Sequence, residues 1–147
     1  MTDDDRFMDE AWRLAKKSFD EGGLPIGAVL VREGRVIGRG HNRRVQDGDP
    51  TAHGEIDCIR DAGRQAGYRD TTLYTTLSPC MMCAGTIVQF GIPRVVIGEN
   101  ENFAGNDAFL RERGVDVTVL GNRACIDLMR TAIRQRPDLW REDIGET

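Results

Sequence analysis

The chain has 147 residues, of which 39% are hydrophobic and 30% charged, and this favours one globular domain with a sizeable core. No apolar run approaches the ~20 residues of a membrane-spanning helix, which argues against an integral membrane protein. The net charge of −4 gives no electrostatic footprint for a phosphate backbone, so it disfavours a nucleic-acid partner without excluding a local basic patch.

The first residues and the cysteines both suggest a cytoplasmic protein. The stretch Met1–Asp5 is acidic, whereas a secretory signal begins with basic residues and continues with apolar ones. Four cysteines occur, and without an export signal they are expected to be thiols or metal ligands, because disulfides need oxidising surroundings. We therefore expect a cytoplasmic location.

The first third of the chain predicts an amphipathic helix followed by a hairpin. Apolar residues recur at helical spacing after Asp5, a candidate N-cap, until Gly22-Gly23 interrupts the pattern. Residues 26–32 and 35–40 have the composition of short strands on either side of Glu33-Gly34, and the first is almost wholly apolar. Such a strand is typical of a central position in a sheet.

Two helix starts follow in the middle of the chain. After a polar loop, residues 52–67 have helical periodicity, which places His53 in a first turn. Residues 71–77 are rich in β-branched and aromatic side chains and predict a strand. Ser78-Pro79 then has the form of an N-cap followed by proline at the first helical position, so a helix with two cysteines in its opening turn is expected from there to Gly91.

The remainder of the chain alternates between strands and helices. The pattern predicts strands at 94–98 and 115–120, helices at 107–113 and 123–136, and a separate tail from Pro137. We therefore predict an α/β fold, a single domain of three layers (α-β-α) with a central five-stranded mixed sheet.

One histidine and two cysteines at these helix starts predict a metal site. Cys80 and Cys83 lie three residues apart, a spacing that puts two side chains on one helix face, and His53 comes from the other helix. The positive end of a helix dipole favours the thiolate form of both cysteines. Imidazole and thiolate ligands are typical of zinc, and three protein ligands leave a fourth position for water. His53, Cys80 and Cys83 are therefore the candidate ligands of one Zn²⁺.

The zinc site also calls for a general base. Two thiolate ligands are expected to leave the zinc-bound water less acidic than in an all-histidine site. Glu55, two residues after His53, is the natural candidate. Positions two apart on an ideal helix point in different directions, so the spacing alone leaves open whether Glu55 reaches the water.

Other interpretations of these residues stay open. A lone Cys-x-x-Cys after a strand is also typical of a dithiol redox site, although the upstream histidine and glutamate favour zinc. A structural zinc site would need a fourth protein ligand, and the sequence has no second Cys-x-x-Cys. Cys58 and Cys125 are expected to be buried, unreactive thiols. His41 is interpreted as a histidine hydrogen-bonded near a loop rather than as a ligand.

The sequence resembles the fungal cytosine deaminases, within the cytidine deaminase superfamily, over nearly its whole length. The superfamily motif is His53-Gly54-Glu55 together with Pro79-Cys80-Met81-Met82-Cys83, the signature of zinc-dependent nucleobase deaminases. The wider likeness lies in these stretches: 22–27 (GGLPIG), 38–42 (GRGHN), 71–83, 91–94 (GIPR), 98–100 (GEN) and 142–146 (EDIGE).

The resemblance implies roles for residues whose types alone would not reveal them. The implied substrate contacts are Asn42 and the backbone at Gly54 at the ring's polar edge, the backbone at Ser78 and the carboxylate of Asp143 at the exocyclic amine, and Phe103 and Trp140 around the ring. Residues 137–147 would form a C-terminal lid over the site. A homodimer is also implied, and the sequence offers the helical surface near 106–113 as an interface.

The implied reaction is hydrolytic deamination of cytosine to uracil and ammonia, with zinc hydroxide attacking C4 and Glu55 as the proton shuttle. The partner is then a small nucleobase, with no nucleic acid and no membrane. One alternative is another heterocycle, namely guanine, a creatinine-like ring or a tRNA adenosine, the last disfavoured by the acidic pI near 5.2. The other is a non-catalytic zinc-binding or dithiol redox protein.

Overall fold

A five-stranded mixed sheet runs through the protein, whose structure, a computed structural model, describes residues 1–146. The strands are β1 Gly27–Arg32, β2 Arg35–His41, β3 Thr71–Leu77, β4 Arg94–Glu99 and β5 Asp116–Val119. Their order across the sheet is β2-β1-β3-β4-β5. β1 is antiparallel to both of its neighbours, whereas β3, β4 and β5 are mutually parallel.

Helices cover both faces of this sheet. Their bounds are α1 Asp3–Asp20, α2 Arg44–Asp47, α3 Gly54–Ala62, α4 Met81–Phe90, α5 Asp107–Glu112, α6 Arg123–Gln135 and α7 Pro137–Asp143. Side chains of α3, α4 and α5 belong to one buried cluster, and side chains of α1 and α6 belong to another. The predicted three-layer α-β-α arrangement is therefore confirmed. Within residues 1–146, no helix is both long and apolar enough to cross a membrane.

The two clusters follow from the alternation of side chains along β1. Ala28 and Leu30 join the cluster under α3, α4 and α5, while Val29 and Val31 join the cluster under α1 and α6. Because both faces of β1 are covered, an almost wholly apolar strand is stable there. The hairpin that follows turns at Glu33 and Gly34, which both have positive φ (50° and 76°), as a tight two-residue turn requires.

Several predicted element ends need correction. The N-cap of α1 is Thr2, not Asp5, because Thr2 and Asp5 form a reciprocal capping box. Helix α3 ends at Ala62 instead of reaching residue 67, since Gly63 takes a positive φ of 76° that ends the helix. The tail after residue 136 is itself a helix, α7, with Pro137 in its first turn.

A third buried cluster joins the C-terminal helix to the sheet. Its fully buried members are Leu24, Ile26, Leu77, Met129 and Trp140. Because Trp140 comes from α7, this cluster fixes the last helix against the end of the sheet. The C-terminal segment is thereby held next to the metal ligands.

Candidate active site

The metal ligands are presented from helix N-caps. His53 is the N-cap of α3 and Cys80 the N-cap of α4, both with extended backbone, so neither lies inside a first turn as predicted. The start of α4 at Ser78-Pro79 was also predicted wrongly. The Ser78 N–H donates to the Glu99 carbonyl oxygen (3.0 Å), which extends the pairing of β3 with β4 and delays the helix to Met81.

The three ligand atoms are spaced for one tetrahedral zinc ion. His53 Nδ1 lies 3.5 Å from Cys80 Sγ and 3.8 Å from Cys83 Sγ, and all three atoms lie within 4.8 Å of one another. Zinc bonds of ~2.0 Å to nitrogen and ~2.3 Å to sulfur at a tetrahedral angle would separate the two ligand atoms by ~3.6 Å. The residues therefore fit Zn²⁺, and across residues 1–146 they are the only such cluster of His, Cys, Asp or Glu.

The surroundings of the cluster shift the pKa of each candidate ligand. Hydrogen bonding from the Cys83 thiol, aided by His53 and opposed by burial, lowers the pKa of Cys80 to about 4. The same hydrogen bond, together with burial, raises the pKa of Cys83. Burial opposes protonation of His53, but its contact with Cys80 and the charge of Asp143 raise its pKa to about 9. Metal binding must therefore release the protons that His53 and Cys83 carry.

Glu55 faces the same cavity as His53. Positions two apart on a helix point in different directions, but this does not separate His53 from Glu55. His53 precedes the helix (φ −72°, ψ 159°), whereas Glu55 is its second residue. Both side chains line the cavity. Burial, and after it the negative charge of Cys80, raises the pKa of Glu55 to about 7. Glu55 is thus placed to hold a proton beside the metal ligands.

The cluster opens on a small cavity, whose volume with α7 in place is about 10 Å³. The lining residues are Ile26, His53, Glu55, Leu77, Ser78, Cys80, Phe103, Trp140, Asp143 and Ile144. The structure thus brings Ser78, Phe103, Trp140 and Asp143 together with the metal ligands. Ile26, Leu77 and Ile144 could not be recognised from the sequence as cavity residues, because apolar residues beside a strand or in a tail carry no signal that separates them from the core. For Leu77 the one available signal was its place at the carboxyl end of a parallel strand.

Asn42 and Gly54 do not line the cavity, but each contacts a residue that does, Asp143 and Ile26 respectively. Asn42 is fully buried, and its Nδ2 donates to Asp143 Oδ1 (3.0 Å). The same carboxylate oxygen lies 3.6 Å from His53 Nε2. Burial raises the pKa of Asp143. At Gly54, a Cβ would lie 2.8 Å from the Ile26 carbonyl oxygen, so the approach of α3 to β1 requires glycine.

Polar contacts of Ser78 fix the wall that carries Phe103. Ser78 Oγ donates to Asp107 Oδ1 (2.5 Å) and accepts the Gly105 N–H (3.0 Å). The Phe103 ring meets the Trp140 ring edge to face, with centroids 5.7 Å apart. Two segments distant in sequence therefore form one aromatic wall.

The residues set aside as non-ligands lie away from the metal cluster. Cys58 and Cys125 are buried as predicted, and burial raises the pKa of both thiols, that of Cys125 to about 12. The His41 ring is also buried, and its Nδ1 donates to the Asn42 carbonyl oxygen (3.0 Å). The interpretation of His41 as a hydrogen-bonded histidine near a loop is confirmed.

Known proteins are similar to this chain both in the zinc motif and beyond it. Residues 1–99 match the family described as the cytidine and deoxycytidylate deaminase zinc-binding region. A cytosine deaminase from Candida albicans is 48% identical over 147 residues, covering 98% of both chains. A tRNA-specific adenosine deaminase from Streptococcus pyogenes is 37% identical over 141 residues, covering 88% of this chain and 89% of that one.

Solved structures give the same fold. A chain from a study of A-to-I editing by tRNA:A34 deaminases superposes with a TM-score of 0.74 at 33% identity, covering 84% of this chain and 98% of that one. The predicted fold class and the resemblance to fungal cytosine deaminases are confirmed. His53, Cys80 and Cys83 are the ligand set of a zinc cofactor. The chain belongs to the zinc-binding cytidine and deoxycytidylate deaminase family.

Proposed function

We propose that the protein hydrolyses cytosine to uracil and ammonia. The observation that carries this proposal is one small cavity that holds the zinc ligands, Glu55 and Asp143 together, in a chain 48% identical to a cytosine deaminase over nearly its full length. The cavity is small and is lined mainly by apolar and aromatic side chains with a few polar groups, which suits a single heteroaromatic ring once α7 moves aside.

The proposed chemistry is general acid–base catalysis by Glu55 beside zinc. When bound, the metal supplies a Lewis acid that makes water at its open position a better nucleophile. Glu55 would take one proton from the attacking water and pass it to ring N3, and would then take the proton of the hydroxyl added at C4 and pass it to the departing amine. Over the cycle, the oxygen of one water replaces the amino group at C4, and ammonia leaves.

The remaining site residues are proposed to orient the ring. The Asp143 carboxylate is an acceptor for the exocyclic amine, and the Ser78 backbone is the second contact at that edge. Asn42 and Gly54, which do not line the cavity with α7 in place, would reach the ring's polar edge, where the Asn42 amide exchanges its hydrogen bond to Asp143 for one to the ring. Phe103 and Trp140 enclose the ring faces.

The C-terminal segment 137–147 is proposed to act as a lid. Within it, α7 supplies Trp140 and Asp143 to the cavity, and both side chains are almost fully buried. Thr147 lies outside the described residues. A ring that contacts both side chains must enter before α7 closes, so opening of α7 would control entry and release.

Ammonia release from cytosine by the zinc-loaded protein tests the proposed activity. We expect release by the wild type, and a loss of at least about 10²-fold in Glu55→Gln with zinc content unchanged. Full activity in Glu55→Gln would contradict the role of Glu55. Absence of ammonia from cytosine, with release from guanine or a creatinine-like ring, would replace the substrate and keep the chemistry.

A tRNA adenosine is the second candidate substrate, favoured by the relative at 37% identity and by the structural match to tRNA:A34 deaminases. The net charge of −4 and the covering of the cavity by α7 both oppose it. An anticodon stem-loop with adenosine at the wobble position tests this candidate. Inosine formation from it that is faster than uracil formation from cytosine would favour the tRNA substrate.

We infer a homodimer that pairs through the outer face of α4 and the neighbouring α5. Met81 of α4 is a large apolar side chain that is 56% exposed in the single chain. At Gly85 of α4, a Cβ would meet nothing within 4 Å, so a larger side chain fits the single chain. Gly85→Arg is expected to shift the mass in light scattering from twice 16.4 kDa to 16.4 kDa, while Gly85→Ala stays dimeric. A dimeric Gly85→Arg variant would exclude this face.

We also propose a cytoplasmic location. All four cysteines are free in the described structure, and two of them are zinc ligands that must stay reduced. A compartment that keeps thiols reduced meets this need.

A further inference from the structure

Asn42 forms hydrogen bonds through both its main chain and its side chain. The ladder between β1 and β2 ends at the pair Gly27–His41, so Asn42 lies just beyond regular pairing. Its N–H donates to the Ile26 carbonyl oxygen (2.9 Å). Its side-chain Oδ1 accepts the Arg44 N–H (3.0 Å), and its Nδ2 donates to Asp143 Oδ1. The orientation of the amide is therefore fixed at both ends.

Three side chains from three elements donate to one atom, the Asn42 carbonyl oxygen. They are Ser18 Oγ of α1 (2.7 Å), His41 Nδ1 of β2 (3.0 Å) and Gln46 Nε2 of α2 (3.1 Å). We name Ser18, His41 and Gln46 the Asn42 clamp. A carbonyl oxygen has two lone pairs, so three donors exceed what its own hydrogen bonding requires.

The clamp leaves two of its own polar atoms unpaired, although Gln46 Nε2 also donates to Ser18 Oγ (3.1 Å). Among the described residues, His41 Nε2 and Gln46 Oε1 are buried without a hydrogen-bond partner. The carboxylate that faces the His41 ring, Glu21, lies 3.6 Å away. Apolar side chains in these places would remove all three donors to the Asn42 carbonyl oxygen, so the clamp keeps this oxygen paired while two of its own polar atoms stay unpaired. Departures of this kind are expected where a site needs them.

We propose that the Asn42 clamp is a set of positioning residues for the substrate ring. Ser18, His41 and Gln46 touch no substrate; they hold the main chain of Asn42, whose side-chain amide orients the Asp143 carboxylate in the cavity (3.0 Å) beside the ring's polar edge. This inference rests on the proposed function. A misplacement of ~1 Å in a positioning group can cost ~10²-fold in rate, so three converging donors at a strand end have a functional reason.

Kinetics of clamp variants test the proposal. Ser18→Ala and His41→Ala each remove one donor, and we expect each to raise the KM for cytosine about fivefold while kcat changes by less than about twofold. In His41→Asn, a side-chain amide can donate near the position of Nδ1, so KM is expected to return toward the wild-type value. Zinc content is expected to stay at the wild-type level throughout.

Thr71→Val is the matched control. Thr71 is buried, and its hydroxyl donates to the carbonyl oxygen of Tyr68 (2.5 Å), at the end of β3 away from the site. It loses the same kind of hydrogen bond without touching Asn42, so its KM should not change. Equal KM values in Thr71→Val, Ser18→Ala and His41→Ala would overturn the proposal, as would a failure of His41→Asn to improve on His41→Ala.

A second measurement does not depend on turnover. The side-chain amide protons of Asn42, identified by their absence in Asn42→Ala, are expected to exchange slowly with solvent in the wild type and about tenfold faster in Ser18→Ala. Unchanged exchange in Ser18→Ala would overturn the clamp. If the zinc-loaded wild type released no ammonia from cytosine, the proposed function would fail, and the exchange rates would still decide the clamp.

Discussion

At the scale of single residues, the chemistry of a cysteine here depends on its position. Cys80 at a helix N-cap beside His53 has its pKa lowered to about 4, whereas Cys125 in the apolar core has its pKa raised to about 12 by burial. At the metal cluster, Cys80 ionises readily because the Cys83 thiol donates to it, so the two cysteines form a pair poised for metal, whereas Cys125 stays protonated and packs as a small apolar group.

Removing one cysteine of each kind tests this contrast. Cys83→Ala takes away a zinc ligand, so bound zinc is expected to fall from one ion per chain to a small fraction after dialysis against a mild chelator. Cys125→Ala leaves a small cavity and is expected to lower stability by about 1–2 kcal/mol while keeping one zinc ion. Elemental analysis of the dialysed proteins measures both, and equal zinc content in the two variants would contradict the assignment.

The ligands could be predicted from the sequence because their types and spacing are chemically specific. His53, Cys80 and Cys83 need only a common ion to explain them. The position of Glu55 could not be predicted, since it depends on His53 being a cap with extended backbone. Ile26 could not be recognised as a cavity residue either, because nothing in an apolar side chain distinguishes a cavity wall from a core.

At the scale of elements, the strands and most helix ends were predictable, whereas the starts of α1 and α4 and the end of α3 were not. β3 was predicted at its observed bounds, 71–77, from its β-branched and aromatic residues. The start of α4 was misplaced because the Ser-Pro signature is local, whereas the observed start depends on pairing of Ser78 with Glu99, which is distant in sequence. Competition between a cap and a strand is decided by tertiary contacts.

The junction between α6 and α7 depends on one side chain, Arg136. Its Nη1 donates to the carbonyl oxygens of Phe19 (3.0 Å) and Gly23 (2.5 Å), and its guanidinium lies 4.1 Å from the centre of the Phe19 ring. Lysine can replace the charge but not the planar group that stacks while donating twice. This contact therefore anchors the first turn of the proposed lid.

We expect Arg136→Lys to loosen α7 without disturbing the metal site. Loss of one hydrogen bond and of the stacking contact, about 1–2 kcal/mol, should speed amide hydrogen exchange within 138–143 by about tenfold and raise the KM for cytosine. Arg134→Lys, on the exposed face of α6, is the control and should change neither. Wild-type exchange rates in Arg136→Lys would show that α7 is held by its apolar contacts alone.

At the scale of the whole molecule, contacts between distant segments set what the sequence could not reveal. Asp143 reaches Asn42 across 101 positions, and no periodic pattern marks either residue as a partner of the other. A similar link ties α1 to the sheet: Asp4 accepts hydrogen bonds from the Tyr74 hydroxyl (2.6 Å) and from two nitrogens of Arg94 (3.1 and 2.7 Å). The layers were predictable from periodicity, whereas the links between them were not.

The Asp4 link predicts how stability depends on pH. Hydrogen bonding from Arg94, only partly offset by burial, lowers the pKa of Asp4 in the folded protein. Its stabilisation is therefore complete above the unfolded pKa of ~3.9 and is lost as the pH falls through the lower folded value. Asp4→Asn should reduce the free energy of unfolding by about 1–2 kcal/mol at pH 7, with a gap to the wild type that narrows below about pH 4.

Asp9→Asn is the control. It breaks only an exposed pair with Arg13 and should lower the free energy of unfolding by less than about 0.5 kcal/mol. Urea unfolding from pH 7 to pH 3 measures both variants, and a gap for Asp4→Asn that stayed constant across this range would show that Asp4 is not held ionised by Arg94.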